Sequence, residues 1–274
     1  MEKREKNEDI REILIRHVNH RFKTMKVESL LAYKIALYLI LTAKTKGLYR
    51  KDCLILEFES LNDFAKKFAE FEDREEVRSK SSIKTAIDKL GKAAVVMSIS
   101  QRPTKDAVEI GALKNVQYLF LYMDLNSLKE EYPDTIYYDY VEIELFDTYK
   151  RPIIDELLAL SESDTTTLPL LAVQIGLYLI LSLTKEDLLA GESDFLVSTY
   201  NEFSEYFSTF IDIFEIPQST ISDNIDALHN SSFINISKLN PYDAEDTFEK
   251  IDPTGYGNHD HHFIEFYYAD LLPS

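Results

Sequence analysis

The sequence predicts a mostly helical α+β protein made of two tandem units that arose by internal duplication. Three observations support this prediction: an apolar segment that occurs twice, further matched blocks that follow it in the same order, and a large difference in charge between the two parts of the chain. The chain has 274 residues, of which 45% are hydrophobic, and this is enough to build two ordinary domains, each with its own core.

The repeat is clearest in two apolar segments. Residues 31–41 read LAYKIALYLIL and residues 171–181 read LAVQIGLYLIL, with eight of the eleven positions identical. Three further pairs of blocks follow in the same order: LNDFAKKF with YNEFSEYF, SSIKTAIDKL with STISDNIDAL, and YLFLYMDL with FIEFYYADL. Amphipathic helices of similar composition can look alike, but four pairs in one order favour a duplication.

One unit is predicted to contain seven elements. The first apolar segment is hydrophobic on nearly all sides, which predicts a buried helix. A short strand then precedes a helix that begins with a capping box, in which Ser60 lies three residues before Asp63. The next helix has Ile83 and Ile87 on one face, and two strands that enclose a polar loop follow it.

This order resembles that of the winged-helix proteins, whose third helix enters the DNA major groove while the loop between the last strands forms the wing. Two such units in one chain resemble the plasmid and phage replication initiators. Transcriptional regulators and accessory subunits of chromosome-organising complexes also use paired winged helices. The resemblance therefore implies either binding to double-stranded DNA or a role as a protein-interaction scaffold.

The charge is distributed unevenly. The whole chain carries a net charge of −18, which by itself opposes binding to nucleic acid. Residues 1–105, however, contain 23 Lys and Arg against 16 Asp and Glu, a net charge of +7, whereas residues 106–274 contain 7 against 32, a net charge of −25. This asymmetry indicates that the two units have different partners.

The third helix of the first unit is the candidate DNA-recognition helix. With Ile83 and Ile87 turned inward, a step of about 100° per residue turns several cationic and hydroxyl side chains outward. Cations suit phosphates, and hydroxyl groups suit phosphates or base edges. The predicted DNA-binding residues of the helix and wing are Arg78, Lys80, Ser81, Lys84, Thr85, Lys89, Lys92, Arg102 and Lys105. The alternative is that this is an ordinary solvated helix face.

The second unit does not keep these charges. Lys84 is matched by Ser222, Thr85 by Asp223 and Lys92 by Asn230, and the wing region 238–261 is acidic. Phosphates would repel such a face. We therefore expect the second unit to serve oligomerisation, for example as a dimer, or to bind a protein partner.

The predicted domain organisation has three parts. Residues 1–125 comprise an N-terminal helix and the basic winged-helix unit, residues 126–168 a structured linker, and residues 169–274 the acidic winged-helix unit. The N-terminal helix has an apolar stripe and basic residues, so it could pack over the first unit, form a dimer seam or add to the basic surface; packing is favoured.

The sequence favours a protein that is not an enzyme and needs no cofactor. It contains no phosphate-loop motif and no GxSxG motif, and its single cysteine, Cys53, lies beside an apolar run. The best metal candidate is the HDHH segment His259–His262, which lies in the predicted wing of the second unit. Rolling-circle nicking enzymes place a hydrophobic residue between their two metal-binding histidines, whereas Asp260 stands here. We expect a solvated loop and no metal, although bound metal would favour a nicking enzyme.

One cysteine, a charged N-terminus and short apolar runs predict a cytoplasmic protein that does not bind membranes. The predicted function is DNA binding through the first unit, in replication initiation or transcription regulation. The alternative is the scaffold of two winged helices.

Overall fold

The fold was obtained as a computed structural model, which describes residues 10–42, 53–101, 118–124, 146–162, 167–183, 188, 194–197, 200–210, 216–239 and 261–266. The chain divides into two compact units, Met1–Glu142 and Ile143–Ser274. The described residues are mostly helical, as the sequence predicts. Among them, no helix combines the length and the apolar character needed to cross a membrane.

The described residues of the first unit form four helices and a three-stranded sheet. In chain order its elements are α1 (Ile10–Thr24), α2 (Leu30–Thr42), β1 (Cys53–Phe58), α3 (Leu61–Phe71), α4 (Lys80–Lys92), β2 (Met97–Gln101) and β3 (Tyr118–Asp124). Strand β3 lies in the middle and pairs antiparallel with both neighbours. Its residue Asp124 lies opposite Cys53 of β1, and its residue Tyr118 lies opposite Gln101 of β2. The sheet order is therefore β1-β3-β2.

The described part of the second unit follows the same order. After a π-helical turn (Phe146–Lys150), its elements are α5 (Arg151–Leu160), α6 (Leu170–Ser182), β4 (Asp194–Val197), α7 (Tyr200–Phe210), α8 (Gln218–Asn230), β5 (Ile234–Leu239) and β6 (His261–Phe266). The sheet order is β4-β6-β5, again with the last strand in the middle and antiparallel to both neighbours.

Helix α5 belongs to the packed core of the second unit. The sequence analysis assigns residues 151–160 to a linker, but Ile153, Ile154 and Leu157 are buried, and the helix packs on α6 as α1 packs on α2. A Cβ atom at Gly176 of α6 would lie only 2.8 Å from Leu157 Cδ2. The glycine therefore allows the close approach of the two helices.

We expect Gly176→Ala to destabilise the second unit by about 1–3 kcal/mol, because the added methyl group overpacks the contact with Leu157. The matched control is Gly91→Ala in α4, where the nearest atom to an added Cβ is the Val96 carbonyl oxygen at 3.7 Å. This control should gain up to about 1 kcal/mol from helix propensity. Urea unfolding measures both, and a neutral effect at Gly176 would contradict the packing.

An aromatic cluster occupies corresponding places in the two cores. In the first unit, the ring of Tyr38 lies 5.9, 5.6 and 5.0 Å from the rings of three phenylalanines, which are Phe64, Phe68 and Phe71. In the second unit, the ring of Tyr178 lies 5.5, 5.6 and 4.9 Å from those of Phe203, Phe207 and Phe210. These residues are matched by the sequence repeat, so the two units bury the same aromatic contacts in the same arrangement.

The helices α4 and α8 end in the same way. After α4, Ala94 has a φ of 52°, and the Val95 amide donates to the carbonyl of Leu90. After α8, Ser232 has a φ of 63°, and the Phe233 amide donates to the carbonyl of Leu228. Both are Schellman ends, which normally use glycine at the left-handed position.

We expect Ala94→Gly to stabilise the first unit by about 0.5–1 kcal/mol, because glycine adopts a positive φ without the steric cost that a Cβ atom brings. The same change within the helix, Ala86→Gly, should destabilise it, since glycine is unfavourable there and the buried methyl group of Ala86 is lost. Thermal unfolding of the two variants should therefore shift in opposite directions, and equal shifts would contradict the assigned backbone conformation.

Helix α1 packs over the first unit. Leu14, Val18 and Phe22 are buried, and the Tyr33 hydroxyl of α2 donates a hydrogen bond to Asn19 Oδ1. The Arg21 Nε–H donates to the Ala93 carbonyl at the end of α4, at 3.1 Å. This agrees with the packing role that the sequence analysis favours for the N-terminal helix.

Burial of His17 on α1, together with the neighbouring charges of Arg21 and His20, lowers its pKa from 6.5 to about 4. The unfolded chain therefore binds this proton more readily than the folded chain, and we expect stability to fall as the pH drops from 6.5 towards 4. The variant His17→Leu, with the residue that the second unit has at position 157, should flatten this part of the profile. Urea unfolding at several pH values tests this; an equally steep profile in the variant would contradict it.

Candidate nucleic-acid interface

Helix α4 is held by a polar cap and an apolar face. The Ser79 hydroxyl accepts a hydrogen bond from the Ser82 amide at 3.1 Å and so satisfies one of the free N–H groups of the first turn. The apolar side of the helix is buried against the rest of the unit through Ile83, Ala86, Ile87 and Leu90. This fixes which residues of α4 face outward.

The outward face of α4 is cationic and hydroxyl-rich, as predicted. Lys80, Ser81, Lys84, Thr85 and Lys92 are exposed. Lys89 is half-buried at the side of the helix, and Asp88 is exposed among the lysines. The helix carries four lysines against one carboxylate, so its exposed surface has a positive charge. The predicted wing residues Arg102 and Lys105 lie outside the described residues.

Arg78 differs from this set. It precedes the cap residue Ser79, and its side chain is only 15% exposed because it turns towards α3. Its guanidinium group makes two hydrogen bonds to the Glu72 carboxylate, from Nε to Oε2 and from Nη2 to Oε1, each 2.7 Å long. Arg78 is therefore committed to an internal ion pair and does not face outward with the α4 lysines.

Lys34 also contacts the Glu72 carboxylate of this ion pair, and the sequence analysis singled out neither Lys34 nor Glu72. Lys34 of α2 is buried, and its Nζ lies 3.2 Å from Oε1 of Glu72, which ends α3. The signal for Lys34 was present: it is the one charged residue in the apolar segment LAYKIALYLIL. A buried lysine needs a partner, but periodicity does not indicate which carboxylate supplies it.

Carboxylates also lie near the start of α4. Asp73, Glu75 and Glu76 are exposed in the connection between α3 and α4. When the first unit is taken as residues 1–142, it contains 25 Lys and Arg against 24 Asp and Glu, a net charge of +1. The positive character is therefore a local property of the α4 face and not of the whole unit.

The corresponding face of the second unit is acidic. Helix α8 buries Ile221, Ile225 and Leu228, and it exposes Asp223 and Asp226. It contains no lysine or arginine. The second unit as a whole has 5 Lys and Arg against 24 Asp and Glu, a net charge of −19. The corresponding helices α4 and α8 thus carry opposite charges on their exposed sides.

The histidine segment gives little evidence of chemistry. His259 and Asp260 lie outside the described residues, while His261 and His262 belong to strand β6. Among the residues that the structure describes, no group of three or more His, Cys, Asp or Glu side chains could hold a metal ion. The expectation of a loop is therefore wrong for His261 and His262, and it stays a prediction for residues 259–260.

Comparison with protein-family models, curated proteins and solved structures finds no significant match to this chain. The case for a function therefore depends on the geometry and charge of the described residues.

Proposed function

We propose that the chain is a tandem winged-helix protein produced by duplication, and that its first unit binds double-stranded DNA through α4. Support for the duplication comes from the equal order of elements, the matched sheet orders, the paired aromatic clusters and the two Schellman ends at Ala94 and Ser232. The aromatic residues of the two clusters lie at positions that the sequence repeat aligns.

One observation carries the DNA-binding proposal: the exposed face of α4 concentrates Lys80, Lys84 and Lys92 beside Ser81 and Thr85. In the winged-helix order this is the helix that enters the major groove. Lysines there neutralise phosphates and release counterions, and hydroxyl groups reach phosphates or base edges. Helices α4 and α8 bury matched apolar residues, but the exposed side of α8 is acidic. The packing of the helix therefore does not by itself account for the lysines of α4.

The second unit has a different role in this proposal. The exposed Asp223 and Asp226 occupy the face that corresponds to the α4 lysines, and phosphates would be repelled there. We propose that the second unit binds a protein, either a second copy of this chain or another partner. Replication initiation and transcriptional control both fit a protein of this kind.

The deciding experiment is fluorescence anisotropy of labelled mixed-sequence duplex DNA titrated with the full-length protein at several salt concentrations. We expect affinity that falls steeply with salt, with a logarithmic slope of about −3 if the three exposed lysines each contact one phosphate. Absence of binding at about 50 mM salt, where electrostatic attraction is strong, would reject the proposal.

A scaffold of two winged helices is the second candidate. It is favoured by the exposed carboxylates of Asp73, Glu75 and Glu76 at the start of α4, which would oppose close approach of a phosphate backbone. It also agrees with the net charge of −18. Failure to bind DNA, combined with concentration-dependent self-association in analytical ultracentrifugation, would favour this second function.

A further inference from the structure

A buried ionic cluster joins three helices of the first unit through one carboxylate. Glu72, whose side chain is 1% exposed, accepts the bidentate pair from Arg78 and a hydrogen bond from Lys34 Nζ. Lys34 lies in the middle of α2, Glu72 ends α3, and Arg78 stands two residues before α4 begins. The cluster therefore spans both ends of the connection from α3 to α4 and ties that connection to the central helix.

The second unit has neutral residues at the positions that match Lys34 and Arg78. At the position of Lys34 it has Gln174, and at the position of Arg78 it has Ile216, which is 3% exposed. There the Ser204 hydroxyl donates to the Ile216 carbonyl, and the Ile216 amide donates to the Ser208 hydroxyl at 3.4 Å. Among the described residues, hydrogen bonds from and to serine hydroxyls thus hold Ile216 before α8, where the first unit has the Arg78–Glu72 ion pair before α4.

We infer that Lys34, Glu72 and Arg78 are positioning residues that fix the start of α4 for binding to DNA. This inference rests on the function proposed above. Geometry supports it, because a bidentate guanidinium–carboxylate pair restricts both groups more than a single hydrogen bond does. A recognition helix reads bases with its N-terminal residues, and these are the residues nearest to Arg78. Lys34 is 2% exposed and cannot itself touch DNA, so any effect of its removal on binding must act through the position of α4.

The test uses the full-length variant Lys34→Met, which keeps the volume of the side chain and leaves Glu72 paired with Arg78. We expect about a tenfold loss of affinity for duplex DNA in anisotropy, with the salt slope unchanged because no phosphate contact is removed. Hydrogen–deuterium exchange should be faster in residues 72–84. The matched control is Lys150→Met, which removes a buried lysine of the second unit that donates to the Leu181 carbonyl at 3.1 Å. It should leave both readouts of the first unit unchanged.

A second variant keeps the inference testable if Lys34→Met fails to fold. Lys34→Gln, Glu72→Ile and Arg78→Ile in one chain installs the residues that the second unit has at the matched positions. We expect this variant to fold, to exchange faster in residues 72–84, and to lose affinity by at least as much as Lys34→Met.

DNA affinity and hydrogen–deuterium exchange together distinguish failure of the DNA-binding proposal from failure of the positioning role. If the wild-type protein binds no DNA, the proposed function fails, and exchange in residues 72–84 alone decides whether the cluster holds α4. If exchange is unchanged in both variants, the positioning role is rejected whether or not the wild type binds DNA. Faster exchange with wild-type DNA affinity would also reject it, because the cluster would then serve only local stability.

Discussion

Reversing three charges on α4, with Lys80→Glu, Lys84→Glu and Lys92→Glu in one chain, is expected to weaken binding to duplex DNA by at least about a hundredfold. All three side chains are exposed on α4. If each charge-assisted contact contributes about 1 kcal/mol, their loss alone accounts for this factor, and repulsion from the new carboxylates adds to it. Anisotropy at about 100 mM salt measures the change.

The control for this experiment changes the net charge by the same amount elsewhere. Lys23, Lys26 and Lys66 are exposed on the first unit but lie outside α4, so Lys23→Glu, Lys26→Glu and Lys66→Glu in one chain form the matched variant. We expect it to weaken binding by less than about tenfold, since only long-range attraction is reduced. Equal losses in the two variants would mean that overall charge, and not the α4 face, determines the affinity. Thermal unfolding should be similar for both, because none of the six side chains is buried.

The face of α4 was predictable because a regular helix converts sequence spacing directly into direction. Ile83 and Ile87 determine the inner side, which turns Ser81, Thr85 and Lys92 outward and leaves Lys84 on the flank, and the structure has all four exposed. The same rule does not extend to Arg78, because the chain leaves helical geometry before the cap residue Ser79, whose backbone is extended. A helical projection therefore has no meaning at Arg78.

Helix α5 was assigned to a linker for a different physical reason. Compared with α1 at the offset of the main repeat, it keeps Arg151 and Ile153 but few other identical residues. Packing of a helix on its neighbour requires apolar side chains at the contact positions and tolerates many exchanges among them. Sequence identity is therefore a weak guide to the correspondence between α5 and α1. Buried residues such as Leu157 show this correspondence once the position of the helix is known.

The buried ionic cluster could be foreseen only in part. A lysine inside an apolar helix, as at Lys34, indicates that a carboxylate is near, since an unpaired buried charge is too costly. The partner Glu72 is 38 residues away in the sequence, and its position depends on how α3 packs against α2. Such a pair is a product of tertiary structure, which local spacing does not encode.

Glu72→Gln is expected to lower the free energy of unfolding by about 3 kcal/mol, because the neutral side chain leaves the cations of Lys34 and Arg78 facing each other in a buried site. The control Glu70→Gln makes the same change at an exposed position of α3 and should alter stability by less than about 0.5 kcal/mol. The double variant Lys34→Met with Glu72→Gln should be more stable than Glu72→Gln alone, since it removes one of the two cations that Glu72 neutralises. Urea unfolding of these three variants, of Lys34→Met alone and of the wild type completes the comparison. Additive losses from the two substitutions would show that the contact between Lys34 and Glu72 contributes nothing to the free energy of unfolding.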